Sequence, residues 1–137
     1  MRQTVRDELD RLDAAAVDGR LSGLCRRSKI DLFVVFGSAL DPEADPKDLD
    51  LAARFEAHCR PDVLSLLSEL AALTGSDRID LMVLNGAGPV AREQALVFGR
   101  LIFQADRNNF ATAQIAAIME RLETDRFRRL DLELMAQ

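Results

Sequence analysis

Three aspartates stand where strands ought to be apolar. The short runs Ile30–Phe36 (IDLFVVF) and Arg78–Leu84 (RIDLMVL), and the alternating segment Asp48–Phe55 (DLDLAARF) between them, read as β-strands. Asp is disfavoured in strands. Yet Asp48 and Asp50 lie two apart in one of them, where side chains at i and i+2 project from the same face, and Asp80 sits between Ile79 and Leu81 in another. Like charges held that close repel, and a lone buried carboxylate in an apolar run is costly without a partner. Three such acids on neighbouring strands make sense together if they share divalent cations. Hard oxygen ligands without His or Cys favour magnesium over zinc.

The segment joining the first two strands supplies the other half of the pattern. Gly37-Ser38 closes the first run, and nine residues separate it from Asp48. After a strand, glycine lets the backbone approach a ligand closely, while the serine hydroxyl and the amides of the following turn can bind phosphate oxygens. Taken singly, Gly-Ser is a turn signal, Asp-x-Asp a solvated strand edge, and an acid in a strand a helix-cap or salt-bridge partner. In this order, on these elements, they describe a nucleoside triphosphate site with its metal.

Around the strands the spacing predicts helices. Residues from about 4 to 28 read as helical: Val5, Leu9 and Leu12 share a face, and Val17, Leu21 and Leu24 repeat the pattern beyond Gly19, which divides the segment. Pro42 and Pro46, with three acids, make 39–47 a loop around a short helical turn. Pro61-Asp62 opens a helix whose Val63, Leu66, Leu67, Leu70 and Leu73 form one face before Gly75 closes it. Gly86–Pro89 turns into a helix through about Phe98, Arg100–Gln104 (RLIFQ) is a short extended piece, and a last helix starts near Arg107. No repeat or low-complexity linker interrupts the chain. The expected fold class is α/β (α+β), a small mixed β-sheet flanked by helices, in one domain spanning 1–137. Within it, 1–28 is a helical region, 30–106 the core and 107–137 an additional C-terminal helix.

The balance of charge narrows the function. With 18 Lys plus Arg against 23 Asp plus Glu, the net charge of −5 argues against broad electrostatic binding to nucleic acid or anionic lipid. A phosphate ligand must then be held locally. No run approaches the roughly 18 apolar residues of a membrane span, the first eight residues do not resemble a signal peptide, and a cytoplasmic protein is expected. Cys25 and Cys59 lack metal or disulfide spacing and read as reduced thiols.

On Phe36-Gly37-Ser38, Asp48-Leu49-Asp50-Leu51 and Ile79-Asp80-Leu81 the chain resembles the nucleotidyltransferases of the polymerase-β superfamily. In particular it resembles the minimal, MNT-type proteins that act as antitoxins beside HEPN-domain toxins. The stretch from Gly88-Pro89-Val90 to Phe103-Gln104-Ala105-Asp106 also looks like that family's helix and following short strand. The resemblance implies a polymerase-β-like nucleotidyltransferase fold over roughly residues 15–106. It implies that Asp48 and Asp50 bind two magnesium ions, that Asp80 binds the catalytic one and helps to activate the acceptor hydroxyl, and that Gly37 and Ser38 hold the triphosphate. The implied reaction is in-line attack on the α-phosphate of ATP with loss of pyrophosphate, transferring AMP to a hydroxyl of a cognate HEPN ribonuclease toxin that the protein also binds.

Two positions depart from the family pattern. Ala39-Leu40-Asp41-Pro42 stands where many members have Arg-Ala-Arg-Gly, which removes basic groups near the triphosphate, and Lys47 stands where many have Ser. Lys47 reads either as a replacement charge or as a solvated loop lysine. Two alternatives to the enzymatic antitoxin therefore stay open: an antitoxin acting by complex formation alone, and a nucleotidyltransferase for small molecules of the aminoglycoside kind. The chain has no Tyr, so any tyrosyl acceptor of AMP lies on another protein.

Other conspicuous residues carry less. His58, the only histidine, has no supporting ligand pattern. Arg26, Arg27 and Lys29, and likewise Arg126, Arg128 and Arg129, read as solvated helix faces. In the last helix Ile115, Ile118, Met119 and Leu122 share a face that slips to Phe127, Leu130 and Leu134. That stripe reads equally as core or as a docking surface for a second protein.

Overall fold

Two strands that are apolar on both faces must be covered on both sides, and this requirement organises the chain. The computed structural model describes residues 2–136. Its order is α1 (Val5–Asp18), α2 (Arg20–Arg27), β1 (Ile30–Phe36), a 3-10 turn (Gly37–Leu40), β2 (Leu49–Phe55), α3 (Val63–Thr74) and β3 (Ile79–Val83). A second 3-10 turn (Leu84–Gly86), α4 (Pro89–Leu96), β4 (Arg100–Gln104) and α5 (Asn109–Met135) complete it. The expected end residues Met1 and Gln137 lie outside the described residues.

The four strands form one mixed sheet in the order β3-β2-β1-β4. β1 runs antiparallel to both β2 and β4, and β2 runs parallel to β3. Central β1 and β2 are mostly buried, whereas the edge strands β3 and β4 are largely half-exposed. Side-chain alternation divides the core. Phe33, Val35, Leu49, Leu51, Ala53 and Leu81 pack with α1, α2 and α3 on one face, while Leu32, Val34, Ala52 and Met82 pack with α4 and α5 on the other.

The helical lead-in follows its sequence signals with one correction. A capping box between Thr4 and Asp7 starts α1, and Gly19, left-handed at φ 90°, ends it and turns the chain into α2. That turn takes Val17 out of the expected apolar face: it is 90% exposed, while Leu21 and Leu24 are buried. Buried Glu8 enters instead, paired with Arg78 at 3.3 Å. On α3 the expected face holds best at Leu66 and Leu70, and Asp62 caps the helix by accepting from the Ser65 amide. The extended piece Arg100–Gln104 is a full member of the sheet.

The last helix differs most from a core element. Ala113 and Ala117 are buried beside α4 and the sheet, but Ile115, Met119, Leu122, Phe127, Leu130 and Leu134 all face solvent. Small residues let α5 lie close to the body, and the large apolar ones are left outside. Among the described residues no helix is long and apolar enough to cross a membrane.

Candidate active site

The end of β1 and the starts of β2 and β3 meet at one end of the sheet. Asp50 on β2 pairs in register with Phe36 on β1 and with Asp80 on β3. By alternation Asp50 and Asp80 project from the face that carries α4 and α5, away from α1, α2 and α3. Asp48 lies just before β2, not in it, and the adjacent Leu49 amide donates to the Arg78 carbonyl at 3.0 Å, which joins the starts of β2 and β3.

Burial differs from the sequence expectation. Asp50 is half-buried, but Asp48 and Asp80 are exposed. Asp80 does not sit in the costly apolar interior expected from sequence: β3 is an edge strand, so its acid reaches water. The expected repulsion between the acids is present. Burial, and then the charges of Asp80 and Asp48, raise the Asp50 carboxyl above its ordinary pKa. Among the described residues none of the three carboxylates has an ion-pair partner.

The Gly-Ser turn closes on the same point. Gly37 is left-handed at φ 79°, and a Cβ built there would collide with the Asp50 carboxylate. The glycine is thus required by its own backbone and by the acid against it, a tighter reason than the ligand approach read from sequence. Ser38 is exposed, and the Asp41 amide donates to its carbonyl oxygen at 3.1 Å. The structure therefore brings Gly37, Asp48, Asp50 and Asp80 together, with Ser38 next in the chain.

The donor set is three carboxylates, the hard oxygens that magnesium takes. Among the described residues no three Asp, Glu, His or Cys side chains are gathered tightly enough to hold one ion as they stand. The residue types and their shared position fit magnesium.

Several neighbouring expectations resolve. Lys47 is an exposed loop lysine paired with Asp45 at 3.1 Å. Arg26, Arg27 and Lys29 are exposed, as a solvated face requires, with Arg26 5.6 Å from the centre of the Phe103 ring and Arg27 3.5 Å from Glu69. Cys25 is buried, which pushes its thiol up to about 12. His58 occupies a left-handed turn at φ 63°.

One residue beside the site has no sequence signal. From the first turn of α1, Arg6 donates to the carbonyl oxygens of Ala39 at 3.4 Å and of Asp41 and Ala44 at 2.7 Å each. Backbone acceptors leave no pattern of residue types to read.

Comparison with known proteins bears on this geometry. The family described as Polymerase beta, Nucleotidyltransferase matches residues 21–108. No curated protein matches the chain. Among solved structures, a mutant of the toxin-antitoxin MntA-HpeT is similar at TM-score 0.66 and 18% identity, covering 88% of this chain and 98% of that one. A toxin-antitoxin with AMP-PNP is similar at 0.66 and 20%, covering 88% and 98%. A tri-AMPylated Shewanella oneidensis HEPN toxin in complex with MNT antitoxin is similar at 0.62 and 20%, covering 88% and 96%. At these identities the likeness is one of fold: a four-stranded mixed sheet with flanking helices and a C-terminal helix.

Proposed function

The chain belongs to the polymerase beta nucleotidyltransferase family, and from that membership we propose that it is an antitoxin that transfers AMP from ATP to a hydroxyl of a HEPN-type toxin and also binds that toxin. The observation that carries this reading is the meeting of Gly37, Asp50 and Asp80 at one end of the sheet, with Asp48 beside them. Support for the substrate and partner comes from the similar solved structures, one with AMP-PNP and one with an AMPylated HEPN toxin.

In this reading Asp48, Asp50 and Asp80 hold magnesium, two ions being the expected complement. A metal bound there would supply positive charge against the negative charge of the triphosphate. The Gly37 turn directs the triphosphate, and the Ser38 hydroxyl donates to a phosphate oxygen. Asp80, at the solvent edge, faces the incoming hydroxyl and helps to accept its proton. The acceptor oxygen bonds to the α-phosphorus as the bond to pyrophosphate breaks, and pyrophosphate leaves. The whole chain acts as one nucleotidyltransferase domain, with core 30–106, and the apolar residues of α5 dock the toxin. The protein works in the cytoplasm, where ATP is available.

The second reading, inhibition by complex formation alone, draws on the loop that lacks the family's arginines. Intact-mass measurement of the toxin after incubation with this protein, ATP and magnesium separates the two. Addition of AMP supports transfer. An inhibited toxin of unchanged mass supports binding alone.

A further inference from the structure

We propose that Arg6 is a positioning residue for the nucleotide site, holding the loop after Gly37-Ser38 in the shape that receives a triphosphate. The proposal deepens the adenylyl-transfer reading and rests on it for the identity of the ligand.

Between the 3-10 turn at Gly37–Leu40 and the start of β2 at Leu49, the chain has no helix or strand. Its internal ties are local: the Asp41 amide to the Ser38 carbonyl at 3.1 Å, the Ala44 amide to the Asp41 carbonyl at 3.1 Å, and the Glu43 amide to the Asp41 carboxylate at 2.9 Å. Ala39 and Leu40 pack against the core, but the hydrogen bonds that the backbone amides of residues 41–47 donate are local, so that stretch can move as a unit. Arg6 supplies the tie to the body, because one planar guanidinium reaches three carbonyl oxygens spread along the loop, the first of them on the residue after Ser38.

The base from which Arg6 reaches is itself fixed. The Gln3 amide donates to the Thr74 carbonyl at 2.6 Å, and Arg78 donates to the Gln3 carbonyl at 2.6 Å and to Glu8 at 3.3 Å. The capping box between Thr4 and Asp7 orders the same turn. Arg6 thus transmits the position of α1, α3 and the start of β3 to the loop.

Its role is indirect. α1 packs on one face of the sheet, while Asp50 and Asp80 project from the other. Arg6 therefore holds the loop from behind and need not touch the substrate. Among the described residues it has no carboxylate partner, so it also places an unneutralised positive charge behind a turn that lacks the family's arginines. Holding the loop in its bound shape lowers the ordering cost of binding.

The test measures binding of a non-hydrolysable ATP analogue with magnesium to the full chain, with amide hydrogen exchange of residues 39–47 recorded in the nucleotide-free protein. Arg6→Ala should weaken binding about tenfold, a scale set by the loop and side-chain ordering that binding must otherwise supply, and should speed exchange in 39–47. Arg6→Lys should recover only part, because a compact ammonium cannot span three carbonyls. Arg100→Ala removes the pair with Asp13 that ties α1 to β4, and should bind as wild type does. Wild-type affinity in Arg6→Ala, or equal weakening in Arg6→Ala and Arg100→Ala, overturns the proposal. A wild-type protein that binds the analogue but transfers no AMP overturns the adenylyl-transfer reading alone, and the variants still decide the role of Arg6. A wild-type protein that binds no nucleotide overturns both.

Discussion

Asp50 and Asp80 occupy the same rung of the parallel β2–β3 ladder, with no cation from the described residues between them. Because burial and the neighbouring acids raise the Asp50 pKa, the folded chain holds that proton more tightly than the unfolded one does. Stability then falls as pH rises from the ordinary aspartate range through the raised value of Asp50, and the penalty is complete above it. In chelator at neutral pH, Asp50→Asn should raise Tm, and the gain should disappear in acid, where Asp50 is neutral in both proteins. Magnesium should raise the Tm of the wild type and leave Asp50→Asn nearly unchanged. Thermal denaturation across pH, with and without magnesium, checks both effects.

Gly37 and Gly19 are both left-handed, but only Gly37 has an acid against it; nothing lies within 4 Å of a Cβ at Gly19. Gly19→Ala should cost the backbone term alone, about 1–2 kcal/mol. Gly37→Ala should cost more, and Asp50→Gly in the same chain should recover the excess. A double-mutant cycle by urea denaturation measures that coupling.

Glu8 is 2% exposed and depends on Arg78 for its counter-charge. Removing one member of such a pair strands a buried charge, so Arg78→Ala should destabilise by about 3–5 kcal/mol. Adding Glu8→Gln should return part of the loss. Chemical denaturation of the two proteins tests the order.

Phe127 and Leu130 on α5 are 58% and 45% exposed and pack into neither core cluster. Replacing both with Ser should change stability by no more than about 0.5 kcal/mol each. The same variant should bind the toxin more weakly if α5 is the docking surface, as titration calorimetry would register.

The sequence was most informative where one periodicity acted alone. The bounds of β1 are those of its apolar run, and α3 begins and ends at the expected capping residues, Asp62 and Gly75. It was least informative where partners lie far along the chain. Arg100–Gln104, with a polar residue at each end, reads only as an extended piece, and its place in the sheet comes from antiparallel pairing with β1. Edge position, which exposes Asp80, is likewise a property of strand order and not of the run Ile79–Val83. The α5 stripe has a helical period whether it is buried or bare, so exposure alone separates the two meanings. The clustering of Gly37, Asp48, Asp50 and Asp80 was legible from their spacing on consecutive elements, whereas Arg6 was not.

The most direct measurement incubates the toxin with labelled ATP, magnesium and either the wild-type protein or the variant carrying Asp48→Ala and Asp50→Ala. The expected result is label on the toxin with the wild type and none with the variant. Label that persists in the variant, or a wild type that neutralises the toxin without labelling it, contradicts adenylyl transfer by this site.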